Sequence, residues 1–212
     1  MNNLTADRWV RKRSRTRDHL ARTAYRLFEA RGYEAVTMEE IAVAADVAKG
    51  TLYNHFDLKE ALLAHAIHLQ LANDLEALHE LILREKTLAT RLKVLLQASA
   101  RWCQGHRGYL APYIRFEVSQ ATEATRRESN QDNGMIVLYG SLIAQAQADG
   151  EVRTDLAASH LAMLLHYLYF CALMRWLEIP ALNLDEEFAV VIAVFLQGAR
   201  APRRVVHRST KR

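Results

Sequence analysis

Val47-Ala48-Lys49-Gly50-Thr51-Leu52-Tyr53-Asn54-His55-Phe56 reads as a short helix whose apolar side is narrow. Val47, Leu52 and Phe56 are the residues it would bury. Between them stand Lys49, Gly50, Thr51, Tyr53, Asn54 and His55, which supply hydrogen-bond donors, one small residue and no carboxylate. A helical face of that composition is suited to meet an anion.

The flanks place this face in a motif. Thr37-Met38-Glu39-Glu40 has the form of a capping box, in which the threonine oxygen and the glutamate carboxylate satisfy each other's backbone N–H groups at a helix start. Ile41, Ala42 and Ala45 then give one apolar side, and Asp46-Val47 makes a tight break. Two short helices across a tight turn are a helix-turn-helix, and its second helix is the one that reads DNA. Leu20, Ala24, Leu27 and Phe28 follow helical spacing and form a first helix that closes a three-helix domain. Downstream, Asp57 and Glu60 read as a second capping box opening a long helix. Lys59 falls in that first turn and, like Lys49, opposes the helix dipole, so an outside phosphate would stabilise both.

From about Asp18 to Ala66 the chain resembles the TetR (tetracycline repressor-like) family of bacterial transcription regulators. The resemblance is carried by Leu27-Phe28, Gly32-Tyr33, Val36-Thr37, Ile41-Ala42, Ala45, Val47, Lys49-Gly50-Thr51-Leu52-Tyr53, Phe56 and Lys59-Glu60-Ala61-Leu62. It implies base contacts from Lys49, Gly50, Thr51 and Asn54, and phosphate contacts from Thr37, Tyr53, His55 and Lys59. It also implies a helical remainder that dimerises and binds a small inducer.

Charge is segregated along the chain. The formal net charge is +4, yet residues 61 to 199 hold 11 basic and 15 acidic side chains, a net of −4. Residues 8 to 17 carry Arg8, Arg11, Lys12, Arg13, Arg15 and Arg17 without an acid, and residues 200 to 212 carry six more cations, again without one. The N-terminal arm, just ahead of the helix-turn-helix, is expected to touch phosphates or the minor groove, with Arg15 among its contacts. The C-terminal tail reads as a solvated segment or a further nucleic-acid contact.

The expected fold is all-α, with about nine helices. Its parts are a basic arm at 1–17, a helix-turn-helix domain at 18–66, an effector-binding and dimerisation body at 67–199 and a basic tail at 200–212. Body helices are placed at about 57–84, 88–105, 109–119, 124–148, 155–178 and 184–199. Their breaks come from Thr87, Gly105 and Gly108, the polar run Gln120 to Glu123, Asp149-Gly150, Pro180, and Asn183-Leu184-Asp185-Glu186 as a cap. The last two helices are apolar on more than one side, which predicts a homodimer through them and a palindromic operator on double-stranded DNA.

An effector site is less sharply marked. Trp102, His106, Tyr113, Phe116, Glu117, Tyr139, His166 and Phe170 have the mostly apolar, sparsely polar composition of a ligand pocket, and equally that of ordinary core. Glu117, if turned inward, needs a cationic or hydrogen-bond-donating partner.

Other classes are unsupported. Glu76-x-x-His79 matches half of a carboxylate di-metal motif, and the other half is missing. The sequence has no Gly-rich phosphate loop, nucleophile elbow or cysteine cluster, so no catalytic residue, metal or cofactor is expected. The longest nearly apolar run, Leu161 to Met174, is 14 residues and contains His166, too short for a membrane span. The expected location is the cytoplasm, where Cys103 and Cys171 would be buried free thiols. The competing reading is a helical scaffold whose basic ends bind nucleic acid or anionic surfaces without sequence preference.

Overall fold

The computed structural model describes residues 3–124 and 134–200. Among these residues the regular elements are helices: α1 (Asn3–Arg31), α2 (Met38–Ala44), α3 (Lys49–Tyr53), α4 (Lys59–Arg84), α5 (Leu88–Gly105), α6 (Arg107–Ala124), α7 (Gly134–Ala148), α8 (Ala158–Glu178) and α9 (Leu184–Ala199). A lone bridge joins Val152 to Arg200. No described helix is long and apolar enough to cross a membrane. The chain divides into two compact units, Met1–Leu78 with Trp102–Gly134, and His79–Arg101 with Met135–Arg212.

The first unit contains the helix-turn-helix. Leu20, Ala24 and Phe28 of α1 are buried together with Ile41 and Ala42 of α2, Leu52 of α3, Phe56, and Leu62 and Leu63 of α4. Polar links reinforce this core: His65 meets Asp18 at 2.8 Å and joins α4 to α1, and the His19 ring lies 3.2 Å from the Ala45 carbonyl. The basic arm expected at 1–17 is not a separate element; from Asn3 onward it forms the leading turns of α1. The C-terminal tail from residue 201 lies outside the described residues.

In the second unit, α5 starts on Thr87, whose hydroxyl oxygen accepts the Thr90 N–H, while Glu151 accepts the Leu88 N–H at 3.0 Å. α7 ends on Gly150 at φ +76°, with the Glu151 N–H returning to the Ala146 carbonyl at 2.9 Å. That left-handed residue is what glycine supplies at a helix C-terminus. Asn183 caps α9 by accepting N–H groups from Asp185 and Glu186.

Several boundaries differ from the sequence reading, among them the start of α6 at Arg107 where 109 was expected. α6 runs on to Ala124 through the polar stretch taken as a break, because Gln120 to Glu123 contains neither glycine nor proline and polarity alone does not stop a helix. The next helix, expected from 124, is described from Gly134 onward, and residues 125–133 lie outside the described residues. α8 begins three residues later than expected: Arg153 holds Asp155 in a two-pronged pair at 2.7 and 2.6 Å, and the Gln147 amide donates to the carbonyls of Arg153 and Leu156, which keeps 153–156 out of the helix. Cys103 is buried as expected, whereas Cys171 is exposed on α8.

Candidate nucleic-acid interface

The turn that presents α3 is built from backbone geometry. Thr37 caps α2 with the full reciprocal box: its hydroxyl oxygen accepts the Glu40 N–H, and its own N–H donates to Glu40 Oε2 at 2.8 Å. Arg31 adds an ion pair at 2.8 Å. The Thr37 N–H, then Arg31, then the Thr37 hydroxyl hold the Glu40 carboxyl at about 2, well below its ordinary 4.5. α2 ends with Asp46 in the left-handed region at φ 53°. The Asp46 N–H bonds to Val43 O and the Val47 N–H to Ala42 O, the paired closure of a Schellman motif. Aspartate tolerates that conformation better than most residues, which is why a non-glycine turn works here.

α3 itself is short. Leu52 and Phe56 are buried and Val47 is half-buried, so the opposite side, Lys49, Gly50, Tyr53 and Asn54, is exposed. Ala48 precedes the helix and has no side-chain acceptor, so it cannot cap the first N–H groups. A Cβ placed on Gly50 would meet nothing within 4 Å. The protein's own packing therefore does not require glycine there.

Lys49 forms an exposed ion pair with Glu39 of α2, and its ammonium lies 5.7 Å from the centre of the Tyr53 ring. The anion-suited face thus has a carboxylate at its edge, supplied by the preceding helix. Nothing in the Val47–Phe56 pattern announces it.

Lys59 differs from expectation more strongly. Its ammonium donates to the carbonyls of Tyr33 at 2.9 Å and Val36 at 3.0 Å, and it sits 4.2 Å from the centre of the Tyr33 ring. The charge that was to call for an outside phosphate is compensated inside the domain. The expected Asp57–Glu60 box does not open the helix either, because α4 starts at Lys59.

Thr51, Asn54 and His55 line an open cleft of about 540 Å³ whose other wall is Lys12, Arg13 and Thr16 of α1. Arg17 lies over the Phe56 ring at 4.6 Å and fixes that part of α1 beside the end of α3. Burial, with the nearby Arg13 and Arg17 charges, lowers the His55 imidazole below its usual value. Arg15 is exposed on α1 and is not among the residues that line the cleft.

Residues 20–66 match the model of the family described as bacterial regulatory proteins, tetR family. Over these residues the chain is a TetR-family DNA-binding domain. The HTH-type transcriptional repressor DhaR of Mycobacterium sp. (strain GP1) is 28% identical over 188 residues, which is 87% of this chain and 94% of that one. The HTH-type transcriptional regulator TcmR of Streptomyces glaucescens reaches 52% identity over 50 residues, 24% of this chain and 22% of that one. Among solved structures, the TetR-family repressor FadR of Thermus thermophilus, in complex with lauroyl-CoA, superposes with a TM-score of 0.74 at 26% identity, covering 88% of this chain and 96% of that one. This protein is accordingly a DNA-binding transcription regulator.

The eight residues read as an effector cluster fall into two groups. Trp102, His106, Tyr113, Phe116 and Glu117 belong to the first unit, and Tyr139, His166 and Phe170 to the second. In the first, the Trp102 and His106 rings stack at 4.4 Å, and the Tyr25 ring of α1 lies 6.4 Å from His106 and 5.9 Å from Tyr109. The Tyr109 hydroxyl donates to that of Tyr25 at 3.3 Å. Glu117 is turned inward, with its side chain 12% exposed and an oxygen 3.3 Å from His68 Nε2; the Tyr113 hydroxyl is 3.4 Å from the same nitrogen. In the second group, the His166 and Phe170 rings meet at 4.4 Å, and Tyr139 is fully buried. The sequence could not see that Tyr25 and His68, from the helices that frame α3, would join these aromatics. Among the described residues no group of three His, Cys, Asp or Glu is arranged to hold a metal.

Proposed function

We infer that this TetR-family protein is a cytoplasmic, non-enzymatic repressor that binds a palindromic operator as a homodimer and is released by a small-molecule effector. The observation that carries the DNA reading is α3: a five-residue helix without a side-chain cap, with Lys49, Gly50, Tyr53 and Asn54 turned outward on a buried Leu52–Phe56 anchor. Lys49, Gly50, Thr51 and Asn54 are assigned to base edges, and Thr37, Tyr53, His55 and Arg15 to phosphates. Lys59 is assigned first to holding the start of α4.

Dimerisation through α8 and α9 is supported by apolar side chains left in solvent. Leu164, Tyr167 and Met174 on α8 and Val190 and Val194 on α9 are each 39% exposed or more. An apolar groove of about 430 Å³ runs between the two helices. Such a surface on a monomer marks an interface. Two copies related by a two-fold axis would set two α3 helices in successive major grooves.

For the effector we favour the first-unit group, because His106 meets Tyr25 of α1, Tyr113 and Glu117 meet His68 of α4, and Trp102 stacks on His106, which ties the group to the helices on either side of the helix-turn-helix. A ligand that favours one packing of α6 on Tyr25 and His68 would change operator affinity by its difference in affinity for the two states. The FadR relative is seen with lauroyl-CoA, so long-chain acyl thioesters belong in the first screen beside neutral aromatic compounds. The test begins with selection of genomic fragments at near-physiological salt. A short palindrome held far more tightly than bulk DNA, and released by a ligand that also raises thermal stability, supports the assignment. Uniform, strongly salt-dependent binding overturns it in favour of a non-specific scaffold.

A further inference from the structure

The two acids in the first turn of α2 are used differently. Glu40 is taken up by the Thr37 box and by Arg31. Glu39 instead reaches across to α3 and pairs with the Lys49 ammonium, with 53% of its own side chain and 62% of the lysine's left in solvent. The hydrogen bond from Lys49 is the leading reason that the Glu39 carboxyl titrates below its ordinary value, so the group is anionic at neutral pH. A first-turn acid suits the helix dipole, and an ion pair this exposed adds little to stability. Neither effect requires the carboxylate to lie against a lysine that faces DNA.

A carboxylate on a DNA-reading surface is repelled unless a donor meets it. Phosphates offer acceptors alone. In the major groove the donors are the amino groups of cytosine N4 and adenine N6. Lys49 narrows the choice, since the base edge it reaches must lie beside the carboxylate. Along a G·C pair the edge runs from the guanine acceptors N7 and O6 to the cytosine N4 donor, and O6 and N4 are themselves hydrogen-bonded, about 2.9 Å apart. The charged atoms of a hydrogen-bonded ion pair stand about 2.7–2.9 Å apart, donor beside acceptor, which matches that spacing. An A·T pair fits less well, because beyond the adenine amino group it sets thymine O4, an acceptor, and the thymine methyl against the carboxylate. Gly50, next to Lys49, has no side chain to hold the pair off the groove.

We propose that Glu39 and Lys49 act together as the reader of a single G·C pair in each half-site, the ammonium on guanine N7 and O6 and the carboxylate on cytosine N4. This rests on the assignment of Lys49 to a base edge, and goes beyond it by naming the base pair and by adding Glu39 of α2 to the residues that set specificity.

The test is a binding selection from random duplexes at near-physiological salt with the wild type, Glu39→Ala and Lys49→Ala, followed by affinities on single changes of the recovered site. Melting temperatures check that both variants fold. The wild type should require one G·C pair per half-site and lose about fivefold to a hundredfold when it is replaced. Each substitution should flatten the preference at that pair and keep the preferences elsewhere. A duplex with 2-pyrimidinone in place of that cytosine, which lacks the 4-amino group, should weaken the wild type about tenfold and leave Glu39→Ala unaffected.

Tighter binding of Glu39→Ala to operator and random DNA alike overturns the proposal, because the carboxylate then only repels phosphates. So does a site at which Lys49→Ala alters one base pair and Glu39→Ala alters none, or at which the shared pair is A·T; Lys49 keeps its base edge in both cases. Equal losses for Lys49→Ala on every sequence sink the assignment of Lys49 itself, and this proposal with it.

Discussion

The starts of α3 and α4 look alike in sequence and differ in what they do. Each places a lysine in the first turn of a helix, where the dipole disfavours it, and each lysine therefore reads as an anion contact. At α3, Lys49 remains at the surface, with Glu39 and the Tyr53 ring beside it. At α4, Lys59 is drawn inward onto two backbone carbonyls and the Tyr33 ring. The first charge is available for exchange with a phosphate or base edge. The second closes the loop that leads into α2. The same residue at the same helical position thus serves recognition in one place and folding in the other, and the partner that decides between them lies more than twenty residues away in the chain.

Lys59→Met gives the sharpest test of that contrast and the largest expected effect. It keeps the aliphatic stem and leaves the Tyr33 and Val36 carbonyls without their charged donor. Hydrogen bonds to charged groups contribute about 1.5–3 kcal/mol each, and because Lys59 is only half-buried the two together should give less than the full sum, so chemical denaturation should show a loss of about 2–4 kcal/mol. The salt slope of DNA binding, measured on the folded fraction, should stay within experimental error of wild type. A stable variant with a slope reduced by about 1 would return Lys59 to the phosphates and erase the difference between the two helix starts.

On the α3 side the prediction inverts. Gly50→Ala should fold as the wild type does, since its Cβ enters open space and alanine favours helix over glycine. If DNA approaches this position closely, the same methyl should cost about 1–3 kcal/mol of operator affinity, with Lys49→Ala losing a similar amount of site discrimination. Normal operator binding by Gly50→Ala would remove Gly50 from the contact surface. Loss of melting temperature in either variant would mean that α3 is built more like the start of α4 than its exposure indicates.

How far such roles could be read from sequence follows the same division. Local signals were legible: the Thr37 box, the Asp46 turn, the Thr87 and Asn183 caps and Gly150 each depend on residues within about five positions, and helix boundaries tied to them lie close to expectation. Signals that depend on distant partners were not. Neither Glu39 beside Lys49, nor the Tyr33 carbonyl under Lys59, nor Lys12 and Arg13 across from His55 leaves a periodic trace. The late start of α8 has a similar cause, because Gln147 reaches forward along the chain to hold Leu156. The aromatic residues were recognisable as a class, but composition could not divide Trp102 and His106 from Tyr139 and His166, nor add Tyr25 and His68.

The smallest effect concerns the cap that steadies the turn between these two helix starts. Glu40 titrates at about 2, with the Thr37 N–H as the leading cause, Arg31 second and the Thr37 hydroxyl third. A depressed carboxyl contributes stability that is fully present above its ordinary value of 4.5 and is lost as pH falls toward 2. Both groups are exposed, so salt should screen the Arg31 part. Carbon-13 NMR of the side-chain carboxyls should find the Glu40 midpoint near 2, raised by Arg31→Ala and raised less by Thr37→Ala, which keeps the backbone N–H. The threonine variant should still lose about 1 kcal/mol of stability at neutral pH through the missing cap acceptor. A larger rise in the Glu40 midpoint for Thr37→Ala than for Arg31→Ala would place the hydroxyl, and not the backbone, at the centre of the cap. Thr37 would then be committed to α2 by its side chain in the way Lys59 is committed to the loop before it, which argues against giving that hydroxyl to a phosphate.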